Sequence, residues 1–309
     1  MRLGADPDQL DRLAAAFTSA ATRLQEVEHR LAAVRRGAVV APAAVRVAYV
    51  LMAEVEPMLR AVAIGCGRRA EQLRGRAARQ RQASIVPRLP TGMVTVREDT
   101  SGEGRWVGRV GPVDAPTLVV LVPGVGTVNT HRRRLGRDAV RLRRHLVTRD
   151  PAHEVAVVAW VGYDTPDHVV AGVGRRPAAA AAAGLRADLT AWRAAGATRV
   201  VLVGHSYGAV VASRAVASGA AVDELVLLGA PGLGVDGPDR IEPHVSGSVW
   251  TAMEDDDRIA WVARTGVLHG PDPADHARPL PTAERGHARY LADPVLLEAL
   301  GQVVAGTRR

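Results

Sequence analysis

The chain has 309 residues, of which 47% are hydrophobic and 23% are charged, so it can bury the core of one large domain or of a domain with an accessory piece. Its formal net charge is +8 at pH 7, and since the sequence contains no lysine, all 40 basic residues are arginine. Aromatic residues make up only 3%, and no basic stripe is interleaved with base-stacking aromatic side chains, so we expect no nucleic-acid binding.

Cysteine content and hydropathy restrict the class of protein further. Cys66 is the single cysteine, which excludes an intramolecular disulfide and a cysteine-rich zinc site. No run approaches about 18 uninterrupted apolar residues, so we expect no integral membrane association. The first residues are charged and lack the apolar segment of a signal peptide. These features predict a cytoplasmic protein, with export by a route that needs no cleavable signal as the alternative.

Residues 1–84 carry a helical pattern. After Asp6, a good N-cap, apolar residues recur at alternating spacings of three and four, which is typical of a helical seam: Leu10, Leu13, Phe17, Ala20, Leu24, Val27, Leu31 and Val34. Gly37 and Pro42 interrupt this pattern, and a second helical stretch follows in which Pro57 is expected to cause a kink or a break. We predict a helical hairpin or small bundle. Such a hairpin packs on itself or on its neighbour, associates with a second copy, or binds a protein partner.

Residues 85–309 show a different organisation. The segment 85–92 contains two prolines and a glycine, which places a domain boundary there. Two short strand patterns follow, and then strand patterns alternate with helical ones as far as a C-terminal helix. This alternation predicts a mostly parallel sheet flanked by helices and joined by right-handed crossovers.

The most informative motif is Gly-His-Ser-Tyr-Gly at 204–208, between a run of β-branched residues and an alanine-rich helical pattern. Glycines two residues on either side of a serine let a strand and a helix meet in a tight turn, which lifts the hydroxyl to the end of the sheet. Ser206 is therefore predicted to be a nucleophile rather than a simple helix cap. The backbone N–H of Tyr207, at the start of the helix, is predicted to face the developing oxyanion.

A nucleophilic serine needs an imidazole base and a carboxylate that orients it, expected here in the order Ser, Asp or Glu, His. His287, in the late loop before the last helix, is the preferred base, and His269 is the second candidate. The acid is sought in the Asp255–Asp257 run after a late strand. Asp257 is preferred because Arg and Ile follow it.

The loop after the apolar run 117–124 is predicted to supply the second oxyanion donor. Its candidate is the backbone N–H of Val125, with Gly126 as the alternative. A phosphate cradle is disfavoured because neither G-K-[ST] nor G-x-G-x-x-G is present. No recognised metal spacing occurs, so neither a metal nor another cofactor is predicted.

The ordered set VPGVGT, WVGYDTP, GHSYG, GAPG, HGPDP and GHARY resembles an actinobacterial α/β-hydrolase family of unassigned function, within the α/β-hydrolase superfamily, over 116–306. The resemblance implies an α/β-hydrolase fold and a Ser206–Asp257–His287 triad. It also implies a pocket bordered by residues 160–164 and by the glycines of the loop after 117–124. Its candidate substrate contacts are Gly124, Gly126, Trp160, Tyr163 and Asp164, although packing roles are equally compatible with Tyr163 and Asp164.

Two functions of different class follow from these features. The first is a serine hydrolase of the esterase or lipase type that forms an acyl-enzyme from a small-molecule ester. The second is a catalytically silent α/β-hydrolase-fold interaction protein that acts through its helical N-terminus. That region has a distant similarity to the helical hairpins handled by type VII secretion.

Overall fold

The computed structural model describes residues 7–37, 43–83, 89–99, 105–124, 132–163, 175–254, 257–266, 269–283, 286–287 and 289–308. The chain divides into two compact units, Met1–Ser84 and Ile85–Arg309. In the described residues, no helix combines the length and the apolar character needed to cross a membrane.

The first unit contains two long helices, α1 (Pro7–Gly37) and α2 (Ala43–Ala83), which pack against each other. Pro57 lies inside α2 and does not divide it. The predicted helical pair is present in this unit, and residues 38–42 between the helices lie outside the described part.

The seam between α1 and α2 differs from the predicted one. Leu13, Val27 and Val34 were expected in the seam but are exposed. Leu10 is buried and Phe17 packs against the same cluster, as predicted, and the other buried members are Ala14, Ala70, Leu73 and Ala77. Three of these members are alanines, whose small side chains let the two helices approach closely.

The second unit is built on one eight-stranded sheet in the order β1-β2-β4-β3-β5-β6-β7-β8. β2 pairs antiparallel with β1 and β4, and the remaining neighbours are parallel. The strands are β1 (Met93–Asp99), β2 (Arg105–Val110), β3 (Thr117–Val122), β4 (Val155–Val161), β5 (Arg199–His205), β6 (Glu224–Leu228), β7 (Val249–Ala252) and β8 (Arg278–Pro279).

Helices cover both faces of this sheet. Residues of α4 (Arg175–Ala194) and α5 (Tyr207–Ala217) belong to one apolar cluster with one set of strand side chains. Those of α3 (Arg132–Arg149) and α7 (Pro294–Val304) form a second cluster with the alternate set. A short helix, α6 (Arg258–Thr265), follows β7. Because both faces are covered, β3 and β4 are buried along their whole length, as their continuous apolar runs predict.

The strand order reverses at β3, which lies between β4 and β5. The carboxyl ends of these strands form a topological switch point, where open α/β sheets bind ligands. The expected α/β-hydrolase fold with an N-terminal helical pair is confirmed. The two-residue strand β8 has no counterpart in the sequence prediction, because so short a segment carries no periodic signal.

We expect residues 85–309 to fold without the helical pair. Both apolar clusters of the sheet unit consist of residues from this segment alone, and the helical pair has its own small cluster. Circular dichroism of the isolated segment should show one cooperative thermal transition. A broad, non-cooperative melt of 85–309 would contradict this expectation.

Candidate active site

Ser206 occupies a strained turn between β5 and α5. Its φ of 55° and ψ of −128° make it the one non-glycine residue with a positive φ in the described part of the chain. Such a conformation costs on the order of 1–3 kcal/mol and persists only where the surrounding structure holds it. The turn therefore has the strand–turn–helix geometry that the motif predicts.

The glycines on either side of Ser206 permit this turn. A Cβ on Gly204 would lie 2.5 Å from the Cα of Ala209, and a Cβ on Gly208 would lie 2.5 Å from the carbonyl oxygen of Pro123. Real Cβ atoms do not approach other atoms so closely. These two positions therefore need glycine because of close backbone approach.

The Ser206 hydroxyl lies in a confined space beside Gly124, the last described residue after β3. The side chain is 2% exposed, and its Oγ has no hydrogen-bond partner in the described residues. A Cβ on Gly124 would come within 2.7 Å of the Ser206 Cβ and 3.1 Å of its Oγ. Gly124 is thus placed where the expectation of a pocket contact requires it, and Ser206 is not engaged by any described group.

Asp257 and His287 are brought together by the loops that follow β7 and β8. The Nδ1 of His287 donates to the Oδ2 of Asp257 at 2.7 Å, and the Asp257 side chain is only 1% exposed. The backbone N–H of Ile259 donates to Oδ1 at 2.9 Å, which makes Asp257 the N-cap of α6. With Nδ1 engaged, the free Nε2 of a neutral His287 ring is available as an acceptor.

The Asp257 carboxylate remains ionised near neutral pH. Burial acts to raise its pKa, but hydrogen bonds from His287, from the Ile259 amide and from the Tyr290 hydroxyl outweigh burial and lower the pKa overall. A negative charge next to Nδ1 fixes the tautomer of the imidazole, with the ring hydrogen on Nδ1.

His205 connects the serine turn to the imidazole. Its ring lies 4.8 Å from that of His287, and its Nε2 donates to the backbone oxygen of His287 at 2.6 Å. Desolvation, followed by the nearby charge of His287, lowers the pKa of His205 from 6.5 to about 4. His205 is therefore a neutral donor that holds the His287 backbone.

The oxyanion donors are only partly described. Tyr207 is the first residue of α5, an element whose first backbone N–H groups have no partner within the helix. The predicted second donor, Val125, lies outside the described residues, as do Gly126 and Asp164. The roles of all four remain predictions.

Trp160 and Tyr163 make contacts within the protein. The Trp160 indole is 0% exposed and donates to Asp188 at 2.7 Å, which ties β4 to α4. The buried Tyr163 hydroxyl donates to the backbone oxygen of Pro123 at 2.8 Å. Their rings stack at 6.0 Å, and Tyr163 lies 6.4 Å from Tyr207. The structure thus gives both residues packing roles beneath the site, and contact with a substrate stays a prediction.

His269, the second candidate base, lies elsewhere in the unit. It packs edge-on against Tyr207 with centroids 5.8 Å apart, and desolvation, then the charge of Arg214, lowers its pKa. Neither Asp257 nor His287 is among its contacts in the described residues. The two competing acids, Asp255 and Asp256, are outside the described part.

Two residues near the pair, Tyr290 and Gly229, were not identified as functional from the sequence. The Tyr290 hydroxyl donates to Oδ2 of Asp257 at 3.0 Å and accepts from the backbone N–H of Glu254 at 3.1 Å. A Cβ on Gly229 would lie 2.8 Å from the Tyr290 ring and 3.1 Å from the His287 ring. Gly229 and Tyr290 belong to the GAPG and GHARY signatures, so those motifs carried the signal. The described residues contain no cluster of three or more His, Cys, Asp or Glu side chains able to hold a metal.

A family model described as "Alpha/beta hydrolase" matches residues 99–267, more than half of the chain. The chain therefore belongs to the α/β-hydrolase family.

Curated relatives match only part of the chain. Uncharacterized proteins of Mycobacterium tuberculosis and Mycobacterium bovis are 38% identical over 81 residues. That match covers 25% of this chain and 30% of the length of each relative.

Among solved structures, a dienelactone hydrolase from Anabaena variabilis is 18% identical with a TM-score of 0.44, over 69% of this chain and 94% of its own. A hyperthermophilic esterase from Pyrobaculum calidifontis is 16% identical with a TM-score of 0.40, over 75% of this chain and 89% of its own.

We expect His205 to make the protein less stable in mild acid. Between about pH 6.5 and pH 4 the unfolded chain binds a proton at this position that the folded chain does not, so stability falls as the pH falls through that window. At about pH 5 the loss from this group amounts to at most about 2 kcal/mol. His205→Gln keeps an N–H donor but does not titrate, so its melting temperature should fall less between about pH 7 and pH 5 than that of the wild type.

The exposed residue His276 provides the matched control for this comparison. His276→Gln should retain the wild-type dependence of melting temperature on pH. Equal pH dependence in His205→Gln and the wild type would contradict the role assigned to the buried imidazole.

Proposed function

We propose that this protein is a serine hydrolase that acts on carboxylic esters through Ser206, His287 and Asp257. The observation that carries the proposal is the Asp257–His287 hydrogen bond beside a strained serine turn at the switch point of the sheet. The Ser206 Oγ has no partner in the described residues. Catalytic serine–imidazole bonds are often long without substrate and tighten only in the reacting complex.

In the proposed first step, the Ser206 Oγ attacks the carbonyl carbon of the ester while its proton moves to the Nε2 of His287. The oxyanion is held by the backbone N–H of Tyr207 and by a second N–H from the Val125 segment. The bond to the alcohol then breaks, and the alcohol leaves with the proton from His287. Asp257 stays ionised throughout and stabilises the imidazolium.

In the proposed second step, a water molecule gives a proton to His287 and attacks the acyl-enzyme. The acid product leaves, and the proton returns to Ser206. No redox partner or cofactor is needed, because the reaction exchanges only an acyl group and protons.

A small pocket lies beside His205 and Tyr290. It is lined mainly by apolar side chains at the ends of β3 and β5 and on α3. Arg134 and Asp138 of α3 also line it, which gives one side of the pocket a polar character.

Covalent labelling with a fluorophosphonate probe tests the proposal directly. We expect the wild type to be labelled at Ser206, as located by peptide mass spectrometry, and Ser206→Ala to be unlabelled. Hydrolysis of p-nitrophenyl acetate should fall at least about 1,000-fold in Ser206→Ala, and by a similar factor in Asp257→Asn, which leaves the imidazole in the wrong tautomer.

Ser213→Ala is the matched control. Ser213 is a buried serine of α5, the helix that follows the turn, and its Oγ has no partner in the described residues. This variant should be labelled and should hydrolyse the ester like the wild type. Equal turnover in Ser206→Ala and the wild type, or labelling at another residue, would refute the assignment of the nucleophile.

A further inference from the structure

Tyr290 lies in the short turn before α7 and is 1% exposed. Its hydroxyl accepts from the backbone N–H of Glu254 at 3.1 Å and donates to Oδ2 of Asp257 at 3.0 Å. The hydroxyl hydrogen has two acceptors in the described residues, the Oδ2 of Asp257 at 3.0 Å and the Sδ of Met253 at 3.9 Å. The ionised carboxylate is the nearer and much the stronger acceptor, so the hydrogen is donated to Asp257. The oxygen that receives it is the same one that accepts from Nδ1 of His287.

Contacts with three residues restrict the position of the Tyr290 ring. The ring is perpendicular to that of His287 at 6.4 Å and lies 5.7 Å from that of His205. Gly229 approaches it so closely that a Cβ would lie 2.8 Å from the ring. The hydroxyl therefore has little freedom to leave Asp257.

The charges around the Tyr290–Asp257 hydrogen bond determine which of the two groups carries the proton. Desolvation raises the pKa of Tyr290 well above its ordinary range, with the charges of Asp257 and Glu254 acting in the same direction, so the hydroxyl keeps its proton. The donated hydrogen in turn helps to lower the pKa of Asp257. Among the described residues, other ionisable groups near this contact include His205 from β5, Asp293 at the start of α7 and, across the adjacent pocket, Arg134 and Asp138 from α3.

We infer that Tyr290 is a positioning residue of the site: its hydroxyl orients Asp257 toward His287 and withdraws part of the carboxylate charge from the imidazole. The inference rests on the proposed triad. A hydrogen bond to Oδ2 competes with His287 for the same electron density, so it weakens the stabilisation of the imidazolium. Removal of the Tyr290 hydroxyl should therefore strengthen the interaction of the Asp257 carboxylate with the imidazolium.

The kinetic test uses Tyr290→Phe in the full chain. We expect kcat for p-nitrophenyl acetate to fall about threefold to tenfold with KM unchanged, and the acidic limb of kcat/KM to move up by about half a pH unit. If Tyr290 acted only through packing, Tyr290→Phe would lower the melting temperature but would not shift the acidic limb of the kcat/KM profile. Thr251→Val, which removes a different buried hydroxyl bonded to the backbone oxygen of Leu227, is the control and should not move the limb.

A second substitution covers the case in which Tyr290→Phe does not fold, since the Glu254 amide would lose its acceptor. Tyr290→3-fluorotyrosine keeps the shape and both hydrogen bonds but makes the hydroxyl a stronger donor. The acidic limb should then move to lower pH, opposite to the change in Tyr290→Phe. An unmoved limb in both variants, or movement in the same direction, would overturn the inference.

A measurement that does not depend on ester hydrolysis can test the role of Tyr290 separately from the proposed hydrolase activity. In the Ser206→Ala background, NMR of ring-labelled histidine follows protonation of His287, assigned with His287→Gln. Adding Tyr290→Phe should move the titration of the His287 ring to higher pH. If the wild type hydrolyses no ester but this movement occurs, the proposed function fails while the coupling of Tyr290 to the pair stands. If esters are hydrolysed but the titration is unmoved, the coupling alone fails.

Discussion

The positive φ of Ser206 is the constraint on which the site depends. It requires β5 and α5 to meet so closely that Gly204 and Gly208 leave no room for a Cβ, and it places α5 against the carbonyl of Pro123 at the end of β3. A turn that stores on the order of 1–3 kcal/mol persists only in rigid surroundings. The fully buried β3 and β4 and the helices on both faces of the sheet provide that rigidity.

The polar groups opposite the serine form one connected network drawn from distant parts of the chain. Asp257 follows β7, His287 and Tyr290 follow β8, and His205 ends β5. Each is linked to another by a hydrogen bond of 2.6–3.0 Å. A largely buried network of this kind is stable only when each donor has an acceptor. This requirement restricts each side chain to one orientation. Orientation of the imidazole is what a serine nucleophile requires.

Local patterns predicted most of the fold. Alternation of strand and helix patterns in 85–309 corresponds to the observed order from β1 to α7, because each element carries its own periodicity and its own turn residues. The seam of α1 and α2 was predicted less well. Several apolar residues there satisfy the same helical spacing, and the contact combines Leu10, Leu73 and Phe17 with alanines that the spacing did not single out.

The tight turn at Ser206 could be predicted from the sequence alone, because the residues that form it, including Gly204 and Gly208, occupy five consecutive positions. From the sequence, Asp257 and His287 were only the preferred members of short lists of candidates. The order of residues along the chain does not give the distances between their side chains. The contacts of Tyr290, Gly229 and His205 with this pair arise from loops that follow different strands and meet at one edge of the sheet. Which side chains share a hydrogen bond there was decided by the tertiary structure, since register and loop closure bring together residues that no local pattern connects.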